Sequence, residues 1–281
     1  MGRRIAYLDC FSGASGDMLL AAFLDAGLEL HDLEADLASL GLSGYELRLT
    51  RALRQGIAGC QFSVVDRAKE RSLRALHDIR QLIETSALPL EVSEPSLRVF
   101  QRLAEAEAQV HGASVEDVHF HEVGALDTLV DVVGFCCALH RLGIEALYSS
   151  ALPLGSGAVL TEHGLLPVPA PATLALLAIA GAPVMASPSR DLQAKGELVT
   201  PTGAALLSTL ATFSRPALRV QRVGYGLGAK EFPWPNLLRV WIGDADDGSQ
   251  GKDRGKWAVE GGHEHAHPHD HAHPHTHGVE H

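Results

Sequence analysis

The sequence predicts an α+β protein, a mixed sheet with helices packed on it, followed by a disordered His-rich tail. Three observations predict it. The chain opens as strand, glycine-rich loop and helix; its helical patterns gather in the middle of the chain; and aliphatic residues nearly vanish after Gly243. Strict alternation of strands and helices would call for a parallel doubly wound sheet, and its absence points to the mixed arrangement. With 281 residues, 46% of them hydrophobic and 20% charged, the chain can bury a core in one large domain or two small ones.

Residues 3–10 read as a buried strand, 12–16 as a loop and 17–26 as a helix stopped by Gly27. A second helix covers 30–40 and ends at Gly41, and residues 45–66 alternate as two strands broken at Gln55-Gly56. Helices follow at 76–86, 94–111 and 125–142, the last apolar on almost every side and so buried. Residues 147–160 and 165–168 read as extended, 172–180 and 202–211 as helical, and 218–223 and 237–242 as closing strands. The change near Gly243 divides a folded region, 1–243, from an acidic tail, 244–281, where eight acidic residues face three basic ones. Such a segment cannot collapse by itself.

Twenty-three Lys and Arg against 34 Asp and Glu give a net charge of -11, which argues against nucleic acid and against an anionic membrane surface as partners. The apolar run after Arg3-Arg4 ends at Asp9, too soon for an export signal, and prolines 167, 169, 171, 183 and 188 break the one long uncharged stretch, so no membrane span is expected. Cys10, Cys60, Cys136 and Cys137 form no C-x-x-C pair, and a reducing cytoplasm fits them.

The tail carries the most specific signal. His263, His265, His267, His269, His271, His273, His275 and His277 alternate with Glu264, Asp270, prolines and small residues, a pattern unlike a contiguous purification tag. Neutral imidazoles suit nickel, copper and zinc, so the tail reads as a divalent-metal binder, although affinity order alone does not name the metal. The second signal is the run His119-Phe120-His121-Glu122-Val123-Gly124-Ala125-Leu126-Asp127, followed by Asp131. Extended residues at 119 and 121 would point both imidazoles one way, while Asp127 and Asp131 share a helix face one turn apart. The competing reading makes Glu122 and Asp127 partners of a helix macrodipole and the histidines hydrogen-bonded core residues.

The third signal, residues 9–17, sets Asp9 at a strand end and Asp17 at a helix start around Ser12, Gly13, Ala14, Ser15 and Gly16. The loop can hold a phosphate or carboxylate, but it has neither the P-loop lysine nor the dinucleotide glycine spacing, and Ser15 could equally be a helix N-cap. Cys10 is either a thiolate ligand or a small hydrophobe. Three further segments, 155–164, 196–203 and 224–236, read individually as turn chemistry with Thr200 or Thr202 as a cap. The Cys136-Cys137 pair reads as packing.

Taken together, the blocks DCFSGASGDM (9–18), HFHEVGALDTLVDVVG (119–134), 152–172 with GSG, EHG and PVPAPA, GELVTPTGAA (196–205), and GYGLG through PNLLRV (224–240) resemble the LarC family, the nickel insertion proteins of nickel-pincer cofactor biosynthesis. The resemblance runs through the whole folded region, with the His-rich tail in the family's place. It implies nickel(II) delivery to pyridinium-3,5-bisthiocarboxylic acid mononucleotide, giving the pincer cofactor of lactate racemase and related enzymes, with consumption of CTP and a role for magnesium or manganese. It further implies a homo-oligomer and a C-terminal domain associated with CTP and assembly; either a separate chain supplies that domain or this chain has only part of the activity. On this reading His119, His121, Glu122 and Asp127 are relay ligands or proton acceptors, Asp9 and Asp17 hold a divalent cation, and Ser12, Gly13, Ser15 and Gly16 meet the substrate phosphate. Two other readings remain: a nickel store or chaperone without catalysis, which needs only the tail, and a metal-dependent hydrolase of phosphorylated small molecules, which draws on Asp9, Asp17 and the groups from His119 to Glu122.

Overall fold

Four consecutive apolar residues, Ile5 to Leu8, make β1 (Arg4–Asp9) a strand buried on both faces, as an interior strand requires. In the computed structural model, which describes residues 2–67, 75–118, 120, 126–161, 163–188 and 196–246, β1 lies inside a six-stranded sheet. With β2 (Tyr45–Arg54), β3 (Ile57–Asp66), β4 (Ala146–Ser149), β5 (Leu152–Pro153), β6 (Ala158–Thr161), β7 (Gly164–Pro167), β8 (Val184–Met185), β9 (Leu218–Leu227) and β10 (Leu237–Ala245), the large sheet has the order β2-β3-β9-β10-β1-β4. β1 pairs antiparallel with β10 and parallel with β4, so the sheet is mixed and the fold is α+β, as the sequence predicts. The pairs β5-β8 and β6-β7 stand apart from it.

The helices are α1 (Gly16–Asp25), α2 (Leu30–Ala38), α3 (Leu76–Glu84), α4 (Leu90–His111), α5 (Leu126–Arg141), α6 (Pro171–Ala180) and α7 (Pro201–Leu210). α1 packs on β3, β9 and β10 and is covered by α5, which in turn meets α2 and α4. Leu19, Leu20 and Phe23 of α1 are fully buried, each contributing about 1.5–3 kcal/mol by leaving water. Phe23 meets Phe135 of α5 edge to face at 5.4 Å. The expectation that the helix near 125–142 is buried all round holds, since α5 is buried from Thr128 to Ala138.

The structure corrects several boundaries. The division at Gly243 falls inside β10, which continues through Asp244 and Ala245 opposite Arg219 and Leu218. A register shift beside Gly243 lets the ladder run on although the composition has changed. The last pair of strands is also longer than read: Gly224, Tyr225 and Gly226 belong to β9 and not to a turn. Their small size serves the packing, because a Cβ on Gly226 would overlap the Met18 carbonyl of α1. The helix expected from 94 begins at Leu90, with Pro89 as N-cap and Pro95 inside it. Residues 147–160 divide into three short strands, and β8 had no counterpart in the reading. From residue 247 on, the tail expected to be disordered lies outside the described residues, its histidines included.

Candidate functional site

The glycine-rich loop after β1 is held by backbone bonds that the sequence leaves unseen. The Ala14 N–H donates to the Leu198 carbonyl (2.9 Å), and the Thr200 N–H donates to the Ala14 carbonyl (3.0 Å). This bridge joins the loop to the segment 196–203, which leads into α7, and Thr200 caps that helix by accepting from the Gly203 N–H at 3.2 Å. On the other side Gly16 lies flat against α5, where a Cβ would overlap the Asp131 carboxylate. Two of the three signal-bearing blocks, together with one read as turn chemistry, therefore converge.

Where they meet there is a cavity of about 430 Å3. Its walls are residues 15–17 at the start of α1, 62–64 of β3, Asp127, Thr128 and Asp131 of α5, and Glu197 with residues 200–202 at the start of α7. Three helix N-terminal ends face one space that also holds four acidic side chains. The macrodipoles favour the anionic forms, and the carboxylates favour a cation between them.

Asp131 is the unusual member. It is 8% exposed, and its Oδ1 has no hydrogen-bond partner. Burial, and then the charges of Asp17 and Asp127, push its carboxyl well above the usual range. Burial raises Asp17 as well, opposed by a short hydrogen bond from the Ser15 hydroxyl and by backbone N–H donors. Ser15 thus occupies the N-cap position of α1 but spends its hydroxyl on Asp17 and not on the helix backbone. Asp127 is exposed at the mouth and accepts from the Thr128 N–H at 2.8 Å, so it also serves the start of its own helix.

Of the residues singled out from sequence, Ser15, Gly16, Asp17 and Asp127 meet at this cavity. Ser12, Gly13 and Asp9 are not in its walls. The Ser12 hydroxyl is buried, receiving the Trp234 indole N–H (2.9 Å) and donating to Asn236 (3.2 Å). Gly13 donates its N–H to the Cys10 carbonyl. Asp9 is gripped by Arg239, whose Nε lies 3.0 Å from Oδ2. Cys10 is fully buried and its thiol is pushed up to about 12, first by burial, so it is a thiol and not a thiolate at neutral pH. His119, His121, Glu122 and the histidines from 263 to 277 lie outside the described residues. Among the described residues no group of three or more His, Cys, Asp or Glu is placed to hold a metal ion.

Sequence reasoning places Asp131 beside Asp127 on one helix face without giving it a role, and passes over Glu197. For Asp131 the signal was present: a carboxylate among Val130, Val132 and Val133 on a helix read as buried all round has to be a buried carboxylate. Glu197 sat in a segment whose glycines and threonines already had a turn explanation. None of the described helices is long and apolar enough to cross a membrane.

The family model for nickel insertion proteins matches residues 6–270. A pyridinium-3,5-bisthiocarboxylic acid mononucleotide nickel insertion protein of Desulfitobacterium hafniense is 49% identical over 253 residues, covering 89% of this chain and 61% of that protein. A relative from Thermomicrobium roseum is 54% identical over 243 residues (86% of this chain, 58% of the relative), and one from Roseiflexus castenholzii 51% identical over 245 (87% and 60%). The chain spans about three fifths of the length of the curated relatives it matches. No solved structure matches it.

Proposed function

The chain belongs to the nickel insertion protein family, and from that premise we propose that its folded region inserts nickel(II) into pyridinium-3,5-bisthiocarboxylic acid mononucleotide at the acidic cavity, forming the nickel-pincer cofactor of lactate racemase-type enzymes. The observation that carries this reading is Asp131, a buried carboxyl with one unpartnered oxygen on the wall of a cavity that two further aspartates share. A carboxyl raised by burial is a stronger base once ionised than an exposed one, and a neighbouring cation favours its ionisation.

Insertion requires one C–H bond of the pyridinium ring to break. Its electron pair becomes the nickel–carbon bond, the metal stays divalent, and the proton passes to a base, the role we give to Asp131. The thiocarboxylates supply the other bonds to nickel, so the protein must orient the ring and hold the metal loosely enough to release it. Asp17 and Asp127 are assigned to a magnesium or manganese ion, for which hard oxygen donors are suited. Held there, the ion would offset the charge of the substrate phosphate, which Ser15 and Gly16 would meet at the α1 N-terminus, where they line the cavity. Asp9, engaged by Arg239, is left out of this set. His119, His121 and Glu122 are assigned as further nickel relay groups, and the histidines of the tail as the nickel reservoir.

The same proposal includes CTP as co-substrate and a C-terminal CTP-binding domain, which the test adds as a separate chain. The test is formation of the nickel pincer product, followed by mass spectrometry, from nickel-loaded chain, substrate, CTP and manganese, with and without that added domain. Product in either arm supports insertion. Nickel binding without product in both arms would leave nickel storage as the better description. His121→Ala is expected to abolish product while the tail keeps its nickel capacity.

A further inference from the structure

Pro201 lines the acidic cavity and also a second, much smaller crevice of about 30 Å3, room enough for a water or a small ion. Two imidazoles face each other there. His111 comes from the last turn of α4 and His163 from the turn between β6 and β7, their ring centroids 4.8 Å apart and their planes tilted by 48°. Glu107, one helical turn before His111, places Oε2 3.3 Å from His111 Nε2. Leu166, Ala170 and Ala172 give the crevice apolar walls.

A carboxylate that accepts from one ring nitrogen orients a histidine so that its other nitrogen can serve as a metal ligand. Resting on the reading above, we infer that His111 and His163 form a two-nitrogen site for a divalent transition-metal ion, oriented by Glu107, through which nickel passes to the acidic cavity next to it. Two imidazoles suit nickel, zinc or copper and discriminate against magnesium and manganese, which prefer the all-oxygen cavity. A site built on two imidazoles lets its ion exchange more readily than a closed four-donor structural site does.

The test is anomalous diffraction at the nickel edge from crystals of the full chain soaked in nickel(II), with magnesium soaks as control. A nickel peak bonded to one ring nitrogen of each histidine is expected. His163→Cys, which keeps a donor, should retain it, and His163→Phe, which keeps the ring shape without nitrogens, should lose it. Glu107→Gln should require about 10–100-fold more nickel for equal occupancy. Nickel bound only elsewhere in the chain, or a peak that His163→Phe leaves in place, would overturn the site. A peak at the pair without pincer product would overturn the insertion reading and leave this metal site standing. Wild-type product formation by His163→Phe at limiting nickel would overturn the transit role.

Discussion

Asp131 illustrates how much chemistry one residue can hold at the expense of the fold around it. Below the ordinary carboxylate range it is protonated in both folded and unfolded chains and contributes no difference. As the pH rises through that range the unfolded chain releases a proton that the buried group still keeps, so stability falls. Asp131→Asn should therefore melt higher than the wild type at pH 7, by about 2–4 °C if the gain is about 1 kcal/mol, with the difference fading toward pH 4 in calorimetric scans. A group that lowers stability while lining a cavity is the kind of cost that functional sites carry. The cysteines are raised in the same direction but carry no such cost at pH 7, where a thiol is neutral folded or unfolded. Burial, the first cause at each, pushes the Cys10 and Cys136 thiols up to about 12 and Cys60 up to about 11, and raises Cys137 as well. All four should resist iodoacetamide at pH 8 in the native chain and react on unfolding, as mass spectrometry of labelled peptides would record. The packing role of Cys136 and Cys137 was legible in the sequence; the burial that makes Asp131 and not Asp9 the distinctive acid was legible only in part, because Arg239 is 230 residues from Asp9 in the chain.

At the scale of elements, the site depends on the loop after β1 being tied to the start of α7. Thr200→Ala removes the cap and should cost about 1 kcal/mol in urea unfolding. The loss should also loosen the Ala14 bridge, because the Thr200 N–H is one of its two strands of bonding. Gly226→Val should cost about 1–3 kcal/mol or more by driving α1 off the sheet, since its side chain would press on the Met18 carbonyl. Helices were readable because their apolar period is local: α5 and the strand pair broken at Gln55-Gly56 stand nearly where the pattern puts them. Gly224 and Gly226 were misread because a glycine required by a neighbouring helix looks, in sequence, the same as one required by a turn.

At the scale of the molecule, strand order was beyond the sequence: β1 lies between β10, the last of the described strands, and β4, more than 130 residues after it, and no local pattern encodes those partners. The family resemblance reached further than periodicity here, since its separate blocks supply three walls of one cavity. In this account the His-rich segment is the nickel reservoir. Chain cut after Asp246 should keep its melting temperature while losing most of its nickel stoichiometry, measured by calorimetry and metal analysis. The central claim is that insertion takes place at the acidic cavity with Asp131 as proton acceptor. Single-turnover formation of the nickel–carbon bond, with CTP, manganese and the C-terminal domain supplied, tests it most directly in Asp131→Asn. The predicted result is a rate about 10²–10⁴-fold below wild type with nickel loading unchanged; insertion at the wild-type rate would contradict the account.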